Sequence, residues 1–399
     1  MILICCSSDC RGPPNGGDPI DPTRLDVDSW PVATPASGRQ LFLDGLRGLA
    51  LIFMVLNHTG RWWIERPLGW PRYHLVYLTV TLAAPIFLFL VGFCLPLSYL
   101  NSTLTRGERY VSVAWKYVRR GARLVVAGWF LNLLVFPDEP LFAGGVLQTI
   151  GLSIVGLTLL LPLLRRRAAG WALLAAALGV YASFALAHPF LRRWLTRHPV
   201  VAAVWFSDFP LWPWLAVALL GVVLGWVWAE GQRRGDDDRR YFGMMSLAGV
   251  LCLAAFLALE LAVGPTPHFY SGRDLVLNQH WNPGPVTCLW ILGIVFSLLP
   301  AMYDLMKVRR VQVPWLVVLG QNALMLYFVH QVIVLTFLRQ RFGVLFHSWW
   351  AYVLANALLI AALVVLAQVW PPFKRRALAL VRGSVQRRTS AAERRQEAL

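Results

Sequence analysis

Ten long runs of mostly apolar residues constrain the fold of this chain more than any other feature. About 18 consecutive apolar residues are enough for a helix to cross the hydrocarbon core of a bilayer. Only 14% of the 399 residues are charged, whereas a soluble domain carries about 25%. A water-soluble enzyme is therefore excluded, and the sequence predicts an all-α, polytopic integral membrane protein with about ten transmembrane helices. The runs lie at residues 41–63, 75–99, 115–136, 145–164, 169–187, 210–229, 242–263, 285–306, 314–338 and 349–370.

The basic residues alternate in number from one side of these runs to the other. With the N-terminus in the cytoplasm, the inner segments hold 27 Lys and Arg and the outer ones hold 9, leaving out Arg47 inside the first run. Such a bias over short loops predicts that both termini are cytoplasmic. The net charge of +17 is therefore explained by topology and does not indicate nucleic acid. We expect a disordered tail at 1–38, a transmembrane domain at 39–372 and a basic cytoplasmic tail at 373–399.

The six cysteines show no metal-ligand spacing and no disulfide framework, so we expect no metal site. Two outer loops, about 188–209 and about 264–284, mix aromatic residues with His, Arg, Asp and Asn. Aromatic faces beside hydrogen-bonding groups suit an interfacial belt, and they also suit a sugar-like acceptor. Both interpretations stay open.

The first apolar run carries three ionisable residues, Asp44, Arg47 and His58. At about 100° per residue they lie within about 60° of one another on a helix, and at 1.5 Å per residue His58 lies about 21 Å along the axis from Asp44. Ionisable groups within a membrane usually line a polar cavity, which makes a functional site the first hypothesis. The alternative is an ion pair at the helix entrance together with an interfacial histidine.

Several segments of the chain resemble motifs of the transmembrane acyltransferases, which include acyltransferase family 3 and the glucan succinyltransferases. The similarity is strongest to the heparan-alpha-glucosaminide N-acetyltransferase catalytic domain family. The segments that carry it are Arg39–Ala50 followed by His58, Pro85–Phe93, Gly145–Gly151, Phe209–Trp214 with Gly221 and Gly225, and Leu319–His330. The chain departs from the family at Thr149, where the family usually has Arg.

The resemblance implies an acyl-CoA-dependent acyltransferase that moves an acetyl-type group to an amine or hydroxyl of a sugar or glycolipid. We expect His58, which matches the histidine spacing of acyltransferase family 3, to be the catalytic base or the acyl carrier. Lysosomal members place the catalytic histidine in the first luminal loop, where His74 is the alternative here. Arg47 is expected to hold a carbonyl oxygen or a phosphate, with Asp44 orienting it.

Other polar residues near or inside the apolar runs are candidates for binding. Acyl-CoA phosphates are expected to contact the basic residues near the third run, although topology explains these residues equally well. The expected substrate-binding residues are Asn57, His74, Gln148, Asn322 and His330, and the expected cofactor-binding residues are Arg119, Arg120 and Arg123. For Gln148, Asn322 and His330, plain interhelical hydrogen bonding is the alternative to a catalytic role.

A transporter or flippase of an anionic glycolipid is the competing function, since it also needs Arg and His on a cavity face. Coupling-ion carboxylates near the midplane are expected of a transporter, yet beyond Asp44 the acidic residues of the runs lie near their ends. We therefore favour the enzyme. The expected partners are membrane lipid, acyl-CoA and a sugar or glycolipid acceptor, with no nucleic acid, and a homodimer is left open.

Overall fold

The computed structural model describes residues 39–64, 82–137, 140–166, 168–206, 209–263 and 284–371. The predicted tail at 1–38, the predicted tail at 373–399, His74 and nearly all of the 264–284 loop lie outside these described residues. Within them the chain is helical, and it contains no β-strand.

Twelve helices follow one another along the described residues. Four of them continue past their last α-helical residue with a different helical pitch: α2 as a π-helix over Asn101–Thr105, α4 as a 3₁₀-helix over Leu161–Arg165, α9 as a π-helix over Asp304–Val308 and α11 as a π-helix over Val332–Arg341. The helices are α1 Leu41–Trp63, α2 Ala83–Leu100, α3 Tyr110–Val135, α4 Val146–Leu160, α5 Ala169–Leu195, α6 Pro199–Trp205, α7 Leu211–Arg234, α8 Asp238–Val263, α9 Pro285–Tyr303, α10 Pro314–Gln321, α11 Ala323–Gln331 and α12 Trp349–Pro371.

Nine helical stretches in the described part of the chain are long and apolar enough to cross a membrane. The prediction of an all-α polytopic membrane protein is thereby confirmed, with one difference in the count. The third predicted run, 115–136, forms the 26-residue helix α3 but is not among the nine. Lys116, Arg119, Arg120 and Arg123 all lie in its first half, which leaves too short an apolar stretch behind them.

The helices differ in how much of their surface the protein itself covers. Within its most apolar window α2 is 83% buried and α1 is 61% buried, whereas α8 is 17% buried. Helix α1 contacts α2, α9, α10 and α11, so it lies near the centre of the bundle. Because apolar side chains are as stable in hydrocarbon as in a protein core, the exposed face of α8 is suited to lipid.

Two interfaces are built on glycines that allow backbones to approach closely. A Cβ atom on Gly48 would collide with the carbonyl oxygen of Leu316, and one on Gly320 would collide with that of Asp44, so α1 and α10 nearly touch. Gly92 of α2 meets α7 in the same way. Several motif glycines thus have a packing role, as small residues do in membrane helix pairs.

The predicted run 314–338 is not one continuous helix. It divides at Asn322, whose backbone (φ −108°, ψ 13°) leaves helical geometry between α10 and α11. The Asn322 side-chain amide donates to the carbonyl oxygens of Val318 and Ala367, at 3.0 and 3.2 Å. Asn side chains compete for backbone carbonyls in this way, which explains a break at this residue.

Candidate functional site

An ionic cluster, formed by Arg39, Asp44, Arg47 and Cys94, lies near the start of α1. Asp44 is 2% exposed and accepts from Arg47 Nη1 at 2.6 Å and from Arg39 Nε at 2.7 Å. Arg47 Nη2 also donates to Cys94 Sγ at 2.9 Å. Two guanidinium groups thus donate to one carboxylate. Guanidinium groups also bind the oxygens of phosphates and carboxylates, so a site beside the cluster is suited to an anionic ligand.

A cavity opens beside Arg47. Its walls come from α1, α2, α3, α4, α10 and α11, and they are mostly aliphatic. The charged residues that line it are Arg47 and Arg120, both cationic. Tyr327 of α11 also contributes to the wall. The cavity is therefore apolar with a positive region, which suits an acyl chain carried by an anionic group.

A second group of polar side chains, the imidazole cluster, lies further along α1 and consists of His58, His330 and Gln331. His58 Nδ1 is 2.8 Å from His330 Nε2, and the two ring planes differ by 11°. The amide nitrogen of Gln331 lies 3.2 Å from His58 Nε2 and 3.1 Å from His58 Nδ1. His330 is fully buried and Gln331 is 3% exposed. The cluster joins α1 to the end of α11.

The hydrogen-bond partners of the imidazole cluster assign its tautomers. His330 Nδ1 lies 2.9 Å from the carbonyl oxygen of Leu326, which accepts only, so His330 carries its proton on Nδ1. Neutral His330 then accepts at Nε2, and His58 donates to it from Nδ1. His58 Nε2 is left as the acceptor of the ring. The basic nitrogen of His58 is therefore Nε2. The Gln331 amide nitrogen lies almost equally far from both His58 nitrogens, so it is not aligned with the Nε2 lone pair.

Tyr327 connects the cavity to the imidazole cluster. Its ring centroid lies 6.4 Å from that of His58 and 5.6 Å from that of His330, while the residue itself lines the cavity. Arg47 and His58 are 11 residues apart on α1, which is about 16 Å along the helix axis. A ligand lying along α1 can thus have an anionic end near Arg47 and extend past Tyr327 toward His58.

The three predicted cofactor-binding arginines of α3 face different surroundings. Arg120 is half-buried and lines the cavity, whereas Arg119 and Arg123 are exposed. Arg119 lies over the ring of Trp115 at 5.7 Å, and Arg123 Nε donates to the Arg119 carbonyl at 3.1 Å. Arg119 and Arg123 are four residues apart on the exposed side of α3, whereas Arg120 is rotated from Arg119 by about 100° and reaches the cavity.

Two predicted substrate-binding residues make hydrogen bonds that hold the fold together. Gln148 is buried and donates to the carbonyl of Ala143 at 3.1 Å, so it fixes the turn before α4. Asn322 stabilises the break between α10 and α11 and joins α12. Neither lines the cavity. Asn57 is half-buried beside His58 on α1, and Thr149 donates its hydroxyl to the carbonyl of Phe209, which joins two of the motif segments.

Sequence reasoning did not identify three residues that the structure brings to the site, namely Cys94, Tyr327 and Gln331. Gln331 could have been identified from the sequence, because it directly follows His330 in an otherwise apolar run. Burying a polar amide in a membrane span is unfavourable in free energy unless the amide has a partner. Cys94 carries no such signal, since a cysteine in an apolar helix is ordinary. In the described residues no group of three His, Cys, Asp or Glu side chains is arranged to hold a metal ion.

Comparison with known families gives one match. The family model described as heparan-alpha-glucosaminide N-acetyltransferase, catalytic, matches residues 39–260, which is more than half of the chain. The match includes the ionic cluster, Arg120 and His58, and it ends before His330 and Gln331. No curated protein matches the chain.

Proposed function

Since the chain belongs to the heparan-alpha-glucosaminide N-acetyltransferase catalytic family, and is thus an integral membrane protein of an acetyltransferase family, we propose a specific reaction for it. The protein transfers an acetyl-type group from acyl-CoA to an amine or hydroxyl of a sugar or glycolipid. The observation that carries this proposal is the cavity, which has Arg47 and Arg120 in its wall and reaches Tyr327 beside the imidazole cluster.

The donor binds with its phosphates toward the arginines. Arg47 and Arg120 both line the cavity, and Arg47 is held in place by its ion pair with Asp44. A guanidinium binds phosphate oxygens in a forked geometry that an ammonium does not reproduce. The aliphatic wall between these arginines and Tyr327 accommodates the pantetheine arm and the acyl group.

His58 acts as the base at its Nε2 atom. The acceptor nitrogen or oxygen attacks the thioester carbonyl carbon, and Nε2 takes the hydrogen that the acceptor loses. The C–S bond then breaks, and the thiolate of CoA takes the proton back from the imidazolium. His330 accepts from His58 Nδ1 throughout, which keeps the ring oriented and places the lone pair on Nε2.

A covalent route uses the same atoms in two steps. His58 Nε2 attacks the thioester carbonyl, the C–S bond breaks to release CoA thiolate, and an acyl-imidazole forms. The acceptor then attacks this acyl group, loses its proton to the leaving thiolate or to solvent, and regenerates neutral His58. Single-turnover labelling separates the two routes, because the covalent route retains label on the protein when acceptor is absent.

The orientation predicted from the basic residues supplies the direction of transfer. With both termini in the cytoplasm, the ionic cluster lies toward the cytoplasmic side and His58 toward the outer side. Acyl-CoA then enters from the cytoplasm, and the acceptor approaches from outside. Cysteine labelling at residues 196–198, between α5 and α6 in the segment predicted as an outer loop, tests this orientation, since reagent added to intact cells is expected to reach it.

Turnover of purified protein tests the proposed reaction. The protein in lipid nanodiscs is incubated with radiolabelled acetyl-CoA and a panel of acceptors that contains glucosamine, its N-acetylated form and a glycolipid. We expect label in at least one acceptor with one free CoA thiol released per acetyl group transferred. Uptake of an anionic glycolipid by proteoliposomes without any label transfer would instead support the transporter.

A further inference from the structure

A buried set of hydrogen bonds, the α12 network, joins α1 to α12 and consists of Thr59, Tyr352 and Asn356. The Thr59 hydroxyl lies 2.7 Å from Asn356 Oδ1 and 3.2 Å from the carbonyl oxygen of Leu56, so it donates to the nearer oxygen. The Tyr352 hydroxyl lies 3.3 Å from Thr59 Oγ1 and 3.3 Å from the same carbonyl. Thr59 is fully buried, Asn356 is 3% exposed and Tyr352 is 4% exposed. One turn of α1 is therefore attached to α12 by hydrogen bonds that water does not reach.

This turn of α1, Leu56–Thr59, also carries His58. Neighbouring residues on a helix point about 100° apart, so the side chains of His58 and Thr59 meet different helices. His58 lies 2.8 Å from His330 on α11, whereas Thr59 lies 2.7 Å from Asn356 on α12. An imidazole lies about 5 to 6 Å from the axis of its helix, so a rotation of α1 by about 10° displaces it by about 1 Å. The attachment to α12 thus fixes where the imidazole stands.

We propose that Thr59 and Asn356 are positioning residues, which set the rotation of α1 and thereby place the His58 imidazole for transfer. This inference rests on the proposed function, in which His58 is the base or the acyl carrier. Neither residue is among those that line the cavity, so both act through His58. Asn356 also lies beyond residue 260, where the family match ends. A displacement of about 1 Å at a reacting group lowers a rate by as much as about 100-fold.

The end of α1 has a separate attachment, which keeps the helix packed without the α12 network. Trp63 Nε1 donates to the carbonyl oxygen of Val334 at 3.1 Å, and the Phe346 backbone N–H donates to the carbonyl oxygen of Trp63 at 2.7 Å. These hydrogen bonds join the last turn of α1 to the segment that follows α11. Loss of the α12 network therefore changes the rotation of the turn at His58 while α1 stays in the bundle.

The division of the effect between kcat and KM tests the proposal. Thr59→Val keeps the shape of the side chain and removes the hydroxyl, so we expect kcat to fall by about 10 to 100-fold. KM for acetyl-CoA should stay within about twofold of wild type, because the donor phosphates bind about 16 Å away along α1. Thr59→Ser restores the hydroxyl and should recover most of kcat. An unchanged kcat in Thr59→Val overturns the proposal.

Thr158→Val is the matched control. Thr158 is also fully buried in an apolar helix, and its hydroxyl donates to the carbonyl oxygen of Ile154 on the same helix, α4, at 2.6 Å. It does not line the cavity. The same substitution at this place should leave kcat and KM at the wild-type values, and an equal loss in Thr158→Val would attribute the effect to any buried threonine and contradict the proposal.

A double variant keeps the test decisive if Thr59→Val does not fold. Thr59→Val leaves Asn356 Oδ1 buried without the Thr59 hydroxyl, which lowers stability, whereas replacement of both partners by apolar groups is nearly neutral. We expect Thr59→Val with Asn356→Leu to unfold near the wild-type temperature, yet kcat should stay about tenfold or more below wild type. If kcat recovers together with the stability, the network serves only folding, and the proposal is wrong.

Combination with His58→Ala separates this inference from the proposed function. Because Thr59 acts through His58, Thr59→Val should lower the residual transfer of His58→Ala no further, whereas independent effects would multiply. A multiplied loss contradicts the positioning role. If His58→Ala alone retains full transfer, the proposed role of His58 fails, and the inference fails with it. If His58→Ala loses transfer while Thr59→Val transfers like wild type, His58 keeps its role and only the positioning residues are wrong.

Discussion

The ionic cluster and the imidazole cluster both include residues of α1, and they accommodate polar side chains inside a membrane protein in opposite ways. The ionic cluster is built on an ion pair of opposite charges, in which Asp44 accepts from Arg39 and Arg47 within 2.7 Å. The imidazole cluster consists of neutral groups, and its members exchange donor and acceptor roles with a single proton. The first arrangement is suited to holding an anion in a fixed place. The second is suited to moving a proton.

This difference also explains why the two groups lie on one helix. A thioester donor has a highly charged nucleotide end and a neutral reactive carbonyl, separated by a long arm. The separation of about 16 Å between Arg47 and His58 along α1 provides both environments for a single extended ligand. The α1–α10 contact at Gly48 and Gly320 packs α1 against α10, which is followed directly by α11 with His330 and Gln331.

Among the substitutions that test this difference, replacement of His58 has the largest expected effect on the rate of acyl transfer. His58→Ala should insert and fold, because alanine is tolerated in an apolar helix, yet transfer should fall by roughly 10² to 10⁴, the contribution of a positioned base. His74→Ala, in the predicted first outer loop, is the control and should transfer nearly normally. Rates for both variants, measured with labelled acetyl-CoA, decide between the two histidines. Loss in His74→Ala with normal transfer in His58→Ala would falsify the assignment.

The next largest effect is expected in the ionic cluster. Arg47→Lys keeps the charge but cannot bond Asp44, Cys94 and a ligand in a forked arrangement, so donor affinity should fall by about 10 to 100-fold. The change should appear in KM for acetyl-CoA, with a smaller change in kcat. If kcat falls and KM is unchanged, Arg47 takes part in the chemical step, and the division between holding and reacting groups is wrong.

Substitutions of the α3 arginines test donor binding, and their expected effect on KM for acetyl-CoA is smaller. Arg120→Ala removes a cation that lines the cavity, and we expect KM for acetyl-CoA to rise by about tenfold, as for one hydrogen bond to a charged group. Arg119→Ala and Arg123→Ala are matched controls because both side chains are exposed. Their KM values should stay within about twofold of wild type, as for exposed charges. Equal effects in all three would indicate general attraction of the donor to a basic surface.

Some contacts of the site could be predicted from the sequence, and others could not. Helical periodicity predicted that Asp44 and Arg47 lie on one face of α1, and the observed ion pair confirms that they meet. Residues three positions apart on a helix are neighbours, so this contact could be predicted locally. The contact between His58 and His330 spans 272 residues and depends on how α1 meets α11, which no local pattern encodes. The family motifs marked His330 as a candidate, but they did not say which atom it would face.

The fold shows the same division between local and long-range information. Hydropathy located the helices well, since each apolar run must satisfy its own backbone hydrogen bonds. It could not locate the break at Asn322, because that break depends on a carbonyl of Ala367 on another helix. Nor could it separate Arg120 from Arg119 and Arg123, since the face of α3 that meets the cavity is set by packing against α4.

The smallest expected effect concerns Cys94, whose sulfur accepts from Arg47 at 2.9 Å. Cys94→Ala removes this acceptor but leaves the pairing of Arg47 with Asp44, so we expect KM for acetyl-CoA to rise by at most about fivefold, the value of one modest hydrogen bond. Cys94→Ser, which restores an acceptor at the same place, should recover most of the loss, and Cys252→Ala on α8 should change nothing. Recovery by serine identifies the hydrogen bond as the cause, because a packing defect would persist in both variants. If Cys94→Ala abolishes transfer, Arg47 needs its full set of partners for the reaction itself, and the ionic cluster is more than a site that holds the donor.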